Sequence, residues 1–104
     1  MAHWDVHRNL SPRSRGRVPY LLDIQADLLR SLQTRIVVPL YEPTAFGPPA
    51  KKLNPTVEVD GERFVASFAE IAGVPLEVLG PKVGNASAMR TSLVAALDCL
   101  LSGV

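Results

Sequence analysis

His3, Asp5 and His7 alternate along "AHWDVHRN", a pattern that places two imidazoles and a carboxylate on one side of an extended strand. Such a set can in principle bind a metal ion or move protons. Residues two apart on a strand lie roughly 6.5 Å from one another, however, which is wide for ligands converging on one ion unless the strand bends. With no other histidine in the chain, a solvated polar face is the expected state. Cys99 sits among leucines and reads as a small buried hydrophobe in preference to a nucleophile. Asp23 with Asp27, and Glu58 with Asp60, are formal carboxylate pairs. They read as ordinary solubilising charges, because no phosphate-binding glycine loop, nucleophile elbow or metal signature accompanies them. Catalysis and a cofactor therefore lack support. The one concentrated charge is the block "RNLSPRSRGR", with Arg8, Arg13, Arg15 and Arg17 and no acid. It is either a solvated loop or a surface for anions.

Composition limits what can position these groups. The 104 residues are 47% hydrophobic and 20% charged, which predicts one domain over 1–104 with a single modest core. Eleven Lys and Arg against ten Asp and Glu lack the basic surplus of a dedicated nucleic-acid binder. A lone cysteine gives no intrachain disulfide and fits a reducing cytoplasm. No apolar run reaches the ~18 residues of a membrane span, and the N-terminus lacks a signal core.

The elements follow from periodicity. "AHWDVHRN" alternates as a strand with Trp4 and Val6 on its apolar side, and "LSPRSRG" turns the chain. "VPYLLDIQADLL" is a second strand in which Tyr20, Leu22 and Ile24 face away from Leu21 and Asp23, loosening into a turn after Asp27. "TRIVVPLYE" is a third, expected to lie at an edge, bulge or stop at Pro39. Four prolines make 42–55 a loop, and "PTVEVDGERFVASF" is a hairpin around Asp60-Gly61. A short strand from Val74 to Leu79 should close at Gly80 and Pro81. Met89, Leu93, Leu97 and Leu100 then recur at helical spacing, predicting a helix over 86–101 capped by Asn85 or Ser87. Its apolar arc is wider than one sheet can cover, which points to a dimer contact near the carboxyl end.

"YLLDIQADLL", "TRIVVPL", "LNPTVEVDGERF", "IAGVPLEVLG" and "AALDCLLSGV" occur in an order and at spacings that resemble the CcdB family, from residue 20 onward. The resemblance implies a β-rich, SH3-like barrel of antiparallel strands related to the MazF and Kid toxins, with a long C-terminal helix. It implies a homodimeric toxin of a bacterial toxin–antitoxin system, often serving plasmid maintenance. Such a toxin is not an enzyme; it binds the DNA gyrase A subunit and traps the complex with cleaved DNA. A disordered, acidic-tailed, CcdA-like antitoxin neutralises it, and the toxin–antitoxin complex represses its operon, so contact with DNA is indirect. The family's gyrase contact ends in Trp-Gly-Ile where this chain has Ser102, Gly103 and Val104. Asp98, Leu101, Ala26, Leu28 and Leu29 map at or beside the same surface. The arginine block, Arg8, Arg13, Arg15 and Arg17, becomes a landing site for the antitoxin's acidic segments. Two alternatives stay open. One is a MazF- or Kid-like endoribonuclease using Arg13, Arg15, Arg17 and Asp23; the other is a nontoxic, antitoxin-binding dimer, motivated by Ser102 in place of tryptophan.

Overall fold

A computed structural model describes residues 3–29, 31–50 and 52–103. Seven strands and two helices follow in chain order: β1 (Asp5–Asn9), β2 (Tyr20–Asp23), β3 (Thr34–Tyr41), α1 (Pro43–Phe46), β4 (Thr56–Val59), β5 (Glu62–Ala66), β6 (Ala72–Pro75), β7 (Leu79–Asn85) and α2 (Arg90–Ser102). All pairings are antiparallel, in the order β4-β5-β3-β2-β1-β7, with β6 also paired to β3. The sheet curls into a half-barrel, and α2 packs on the Phe68–Glu70 turn.

Alternation divides the apolar residues between two faces as expected. Trp4, Val6, Leu22, Val38, Leu40, Val57, Phe64 and Phe68 build the main core with Leu93 and Ala96 of α2. Tyr20 and Ile24 pack against it, whereas Leu21 joins Val18, Val37 and Tyr41 in a second cluster on the opposite face. The β4–β5 hairpin turns at Asp60 and Gly61, both with positive φ (52° and 79°), as a tight two-residue turn requires.

Pro39 does not stop β3 or place it at an edge. β3 is the central strand, and on one side its partner changes from β6 (residues 34–37) to β5 (residues 40–41). The Pro39 carbonyl accepts the Ser67 N–H on that side at 3.0 Å. Its nitrogen faces the same way, so the missing donor falls where one partner ends and the next begins.

The segment expected to end at Gly80-Pro81 instead breaks earlier, at a 3-10 turn over Leu76–Val78, and resumes as β7 through Gly80 and Pro81 to Asn85. β7 bonds to β1 with two register shifts. Gly80 permits the approach: a Cβ there would lie 3.0 Å from the Arg8 Cβ and carbonyl oxygen. α2 starts later than periodicity predicts, after a 3-10 turn over Ser87–Met89. Met89, and not Asn85 or Ser87, is the N-cap of α2 and makes no side-chain cap bond; the Asn85 Oδ1 accepts the Ser87 N–H at 2.8 Å ahead of the 3-10 turn.

Candidate functional site

The residues with chemical potential fall into buried and exposed sets that differ from expectation. Asp5 and His7 are not on a solvated face; both are buried. β1 runs between β2 and β7, and His7 lies beside Leu21 of the second cluster, which the Val78 and Leu79 side chains cover. The Asp5 carboxylate accepts Asn85 Nδ2 at 2.8 Å and lies 3.3 Å from Lys82 Nζ. The His7 Nδ1 is 2.9 Å from the Gly80 carbonyl. Among the described residues no group of histidine, cysteine and carboxylate side chains has metal-binding geometry.

Asp23 is the larger correction. Glu58, Asp60 and Asp27 are exposed, as solubilising charges should be, but Asp23 is completely buried and so is Arg35, a residue that sequence reasoning passed over. They meet as a bidentate pair, with Arg35 Nε donating to Oδ2 at 2.8 Å and Nη2 to Oδ1 at 3.0 Å. Nη2 also donates to the Gln25 carbonyl at 3.1 Å. The available signal was a charged residue inside the β-branched run "TRIVVPL", at an inward position of the strand.

Directly after this pair the chain leaves β2 and forms a short 3-10 turn over Asp27–Leu29. Ala26, Leu28 and Leu29 are all exposed there, Leu28 at 91% of its possible area. At the other end of the chain, Asp98, Leu101, Ser102 and Gly103 are exposed on the last turn of α2, with Leu101 at 75%. Gly103 adopts the left-handed conformation (φ 75°) that ends the helix, its N–H donating to the Cys99 carbonyl at 2.9 Å. The Ser102 hydroxyl donates back to the Asp98 carbonyl at 2.7 Å. Val104 lies outside the described residues. Ile24, two residues before Ala26, and Leu97, just before Asp98, both pack against the main core.

Leucines exposed to this degree on two separate turns are not needed by the core. Val94, Leu29 and Leu32 add to the apolar surface.

Arg8 and Arg17, at the two ends of the arginine block, stand over different rings. Arg8, Arg13, Arg15 and Arg17 are all exposed, but Arg8 stands over the Tyr20 ring (5.9 Å) against the main core, and Arg17 over the Tyr41 ring (6.0 Å) of the second cluster. Tyr41 is itself fixed by Glu70, which accepts its hydroxyl at 2.7 Å and that of Ser67 at 2.6 Å. Burial, then the hydrogen bond and charge of Glu70, push the Tyr41 phenol above its ordinary value, with Arg17 opposing.

The family model described as CcdB protein matches residues 3–103. The chain belongs to the CcdB family. A search of curated proteins found no match. The half-barrel with one long C-terminal helix is the CcdB fold expected from the ordered sequence blocks. CcdB membership makes the chain a toxin of a toxin–antitoxin system, and points to action by protein binding over catalysis. Among the described residues, no helix is long and apolar enough to cross a membrane.

Proposed function

We propose that this CcdB protein acts as a homodimer on the DNA gyrase A subunit, trapping gyrase on cleaved DNA and so arresting replication and growth. The observation that carries the reading is the exposure of Leu28 and Leu101, at positions that the family resemblance assigns to the target contact. Ala26, Leu29, Asp98, Ser102, Gly103 and Val104 complete the proposed surface. Two-fold symmetry doubles this small area, which suits a symmetric target. A CcdA-like antitoxin neutralises the toxin in the cytoplasm, its acidic disordered segment steered by Arg8, Arg13, Arg15 and Arg17, and the complex represses its own operon.

The endoribonuclease alternative loses its base: Asp23 is wholly buried and paired with Arg35, out of reach of an RNA substrate. Induction in bacteria, with and without a gyrase A subunit altered in its dimerisation region, tests the proposal. Toxicity relieved by the altered gyrase is expected. Toxicity that persists refutes gyrase as target, and harmless expression with intact antitoxin binding favours a regulatory dimer.

A further inference from the structure

Two side chains tie down the turn that presents Leu28: the Asp27 carboxylate accepts the His3 N–H at 2.6 Å on the exposed side, and Gln25 holds the turn from beneath. Gln25 is buried, and both ends of its amide are used. Its Oε1 accepts the Ile36 N–H of β3 at 3.0 Å, and its Nε2 donates to the Leu29 carbonyl at 3.0 Å. The Leu29 carbonyl also receives the Leu32 N–H at 3.1 Å, and the Leu29 N–H closes the turn on the Ala26 carbonyl at 3.0 Å. The Gln25 backbone is fixed in turn by the buried ion pair. Its N–H donates to Asp23 Oδ1 at 3.0 Å, and its carbonyl accepts Arg35 Nη2 at 3.1 Å.

Without the Gln25 strut, a turn of three residues with no buried side chain keeps only its backbone bonds and the exposed Asp27–His3 bond, and nothing ties its carboxyl end to β3. None of its own residues enters the core, so packing does not fix where Leu28 points. We propose that Gln25 is a positioning residue for the target-binding turn: its amide ties the Leu29 carbonyl to β3 and holds Leu28 and Leu29 in their binding conformation. This rests on the reading of Leu28 and Leu29 as gyrase contacts. Gln25 need not touch the target to act. A binding surface populated only part of the time binds more weakly by that fraction, so an untied turn present in the competent form one time in ten lowers apparent affinity about tenfold.

The test compares Gln25→Met, Gln25→Glu and Leu28→Ser with the parent chain. Gln25→Met keeps the length and removes both hydrogen bonds. Gln25→Glu keeps an acceptor for Ile36 and replaces the donor to Leu29 with a carboxyl group in a buried place, so the apolar Gln25→Met is the milder of the two for folding and either serves as the test where its core protection is kept. Amide exchange is read at Leu29 and Leu32 against core amides such as Leu22 and Val38, and affinity is measured for the isolated gyrase A subunit. Either Gln25 variant that retains core protection should exchange faster at Leu29 and Leu32 and bind gyrase about tenfold more weakly. Leu28→Ser should weaken binding while leaving exchange in the turn unchanged. If the Gln25 variants leave turn exchange unchanged, or mobilise the turn without loss of affinity while Leu28→Ser weakens it, the positioning role is overturned. If Leu28→Ser leaves gyrase affinity intact, the contact reading itself fails, and the positioning role falls with it whatever the exchange shows.

Discussion

Replacing Arg35 with methionine should be among the most damaging single changes in the chain. Both side chains of the Asp23–Arg35 pair are wholly inaccessible to water. Their mutual attraction offsets the cost of removing two charges from solvent, so deleting one partner leaves the other buried and uncompensated. Losses for such changes run to about 3–5 kcal/mol. For a domain of about 100 residues each kcal/mol moves Tm by about 4–8 °C, so a fall of at least about 12 °C is expected. Urea unfolding at neutral pH and one fixed protein concentration measures it, the concentration being fixed because self-association adds to apparent stability. The double variant Asp23→Leu with Arg35→Met removes both charges and should be more stable than either single variant. It should remain about 1–3 kcal/mol below the parent, because the Gln25 N–H and carbonyl lose the partners that Asp23 and Arg35 supply. A single variant within about 1 kcal/mol of the parent would refute the reasoning, since a surface pair costs no more than that.

Gly80→Ala should cost about 1–3 kcal/mol in the same unfolding assay, because the new methyl meets Arg8 backbone and Leu10 at 3.0 Å. Tyr41→Phe should lose about 1.5–3 kcal/mol near neutral pH with the hydrogen bond to Glu70, measured by urea unfolding. The same variant should also remove a pH dependence. Because the folded phenol titrates above its ordinary value of 10.0, its contribution is fully present below that pH and is lost as pH rises through the folded value. A parent chain whose stability relative to Tyr41→Phe is flat across that alkaline range would contradict this. Ser102→Trp should leave stability within about 0.5 kcal/mol at this exposed position. On the proposed reading it strengthens gyrase binding by up to about tenfold through ring stacking on a target cation, which calorimetric titration can read.

How much of this was legible differs by element. The Asp60-Gly61 hairpin, the two faces of β2 and the helical stripe of Leu93 and Leu97 were readable because each depends on a local period or on one turn's dihedral angles. Pro39 departs from expectation because the rule that proline sits at an edge assumes one continuous partner on each side, and β3 has two on one side. Gly80-Pro81 looked like a stop for a similar reason: bulged pairing to β1 uses residues that end a regular strand. Asp23 and the Asp5–His7 face were assigned to solvent because burial of a charge depends on a partner distant in sequence. Arg35 is twelve residues from Asp23, and Asn85 is eighty from Asp5. Of the proposed contact, the leucines were visible as residue types, but Gln25 was not, since its role exists only once β2 and β3 are side by side.

On the proposed reading, the same geometry bears on how this chain would bind gyrase without the family's terminal tryptophan. Ser102 cannot replace it, and its hydroxyl is already turned back onto the Asp98 carbonyl of its own helix. A stacked ring contributes about 0.5–2 kcal/mol by cation–π attraction. Fully burying a leucine side chain contributes about 1.5–3 kcal/mol, and Leu28 and Leu101 arrive at the interface with 91% and 75% of their area still exposed. Two such leucines can therefore contribute as much as a stacked ring would, provided that neither must be ordered on binding. Leu101 meets that condition through the helix backbone that carries it. Leu28 has no helix beneath it, and the strut from Gln25 to the Leu29 carbonyl, with the Asp27 carboxylate on the His3 N–H, supplies the order in its place.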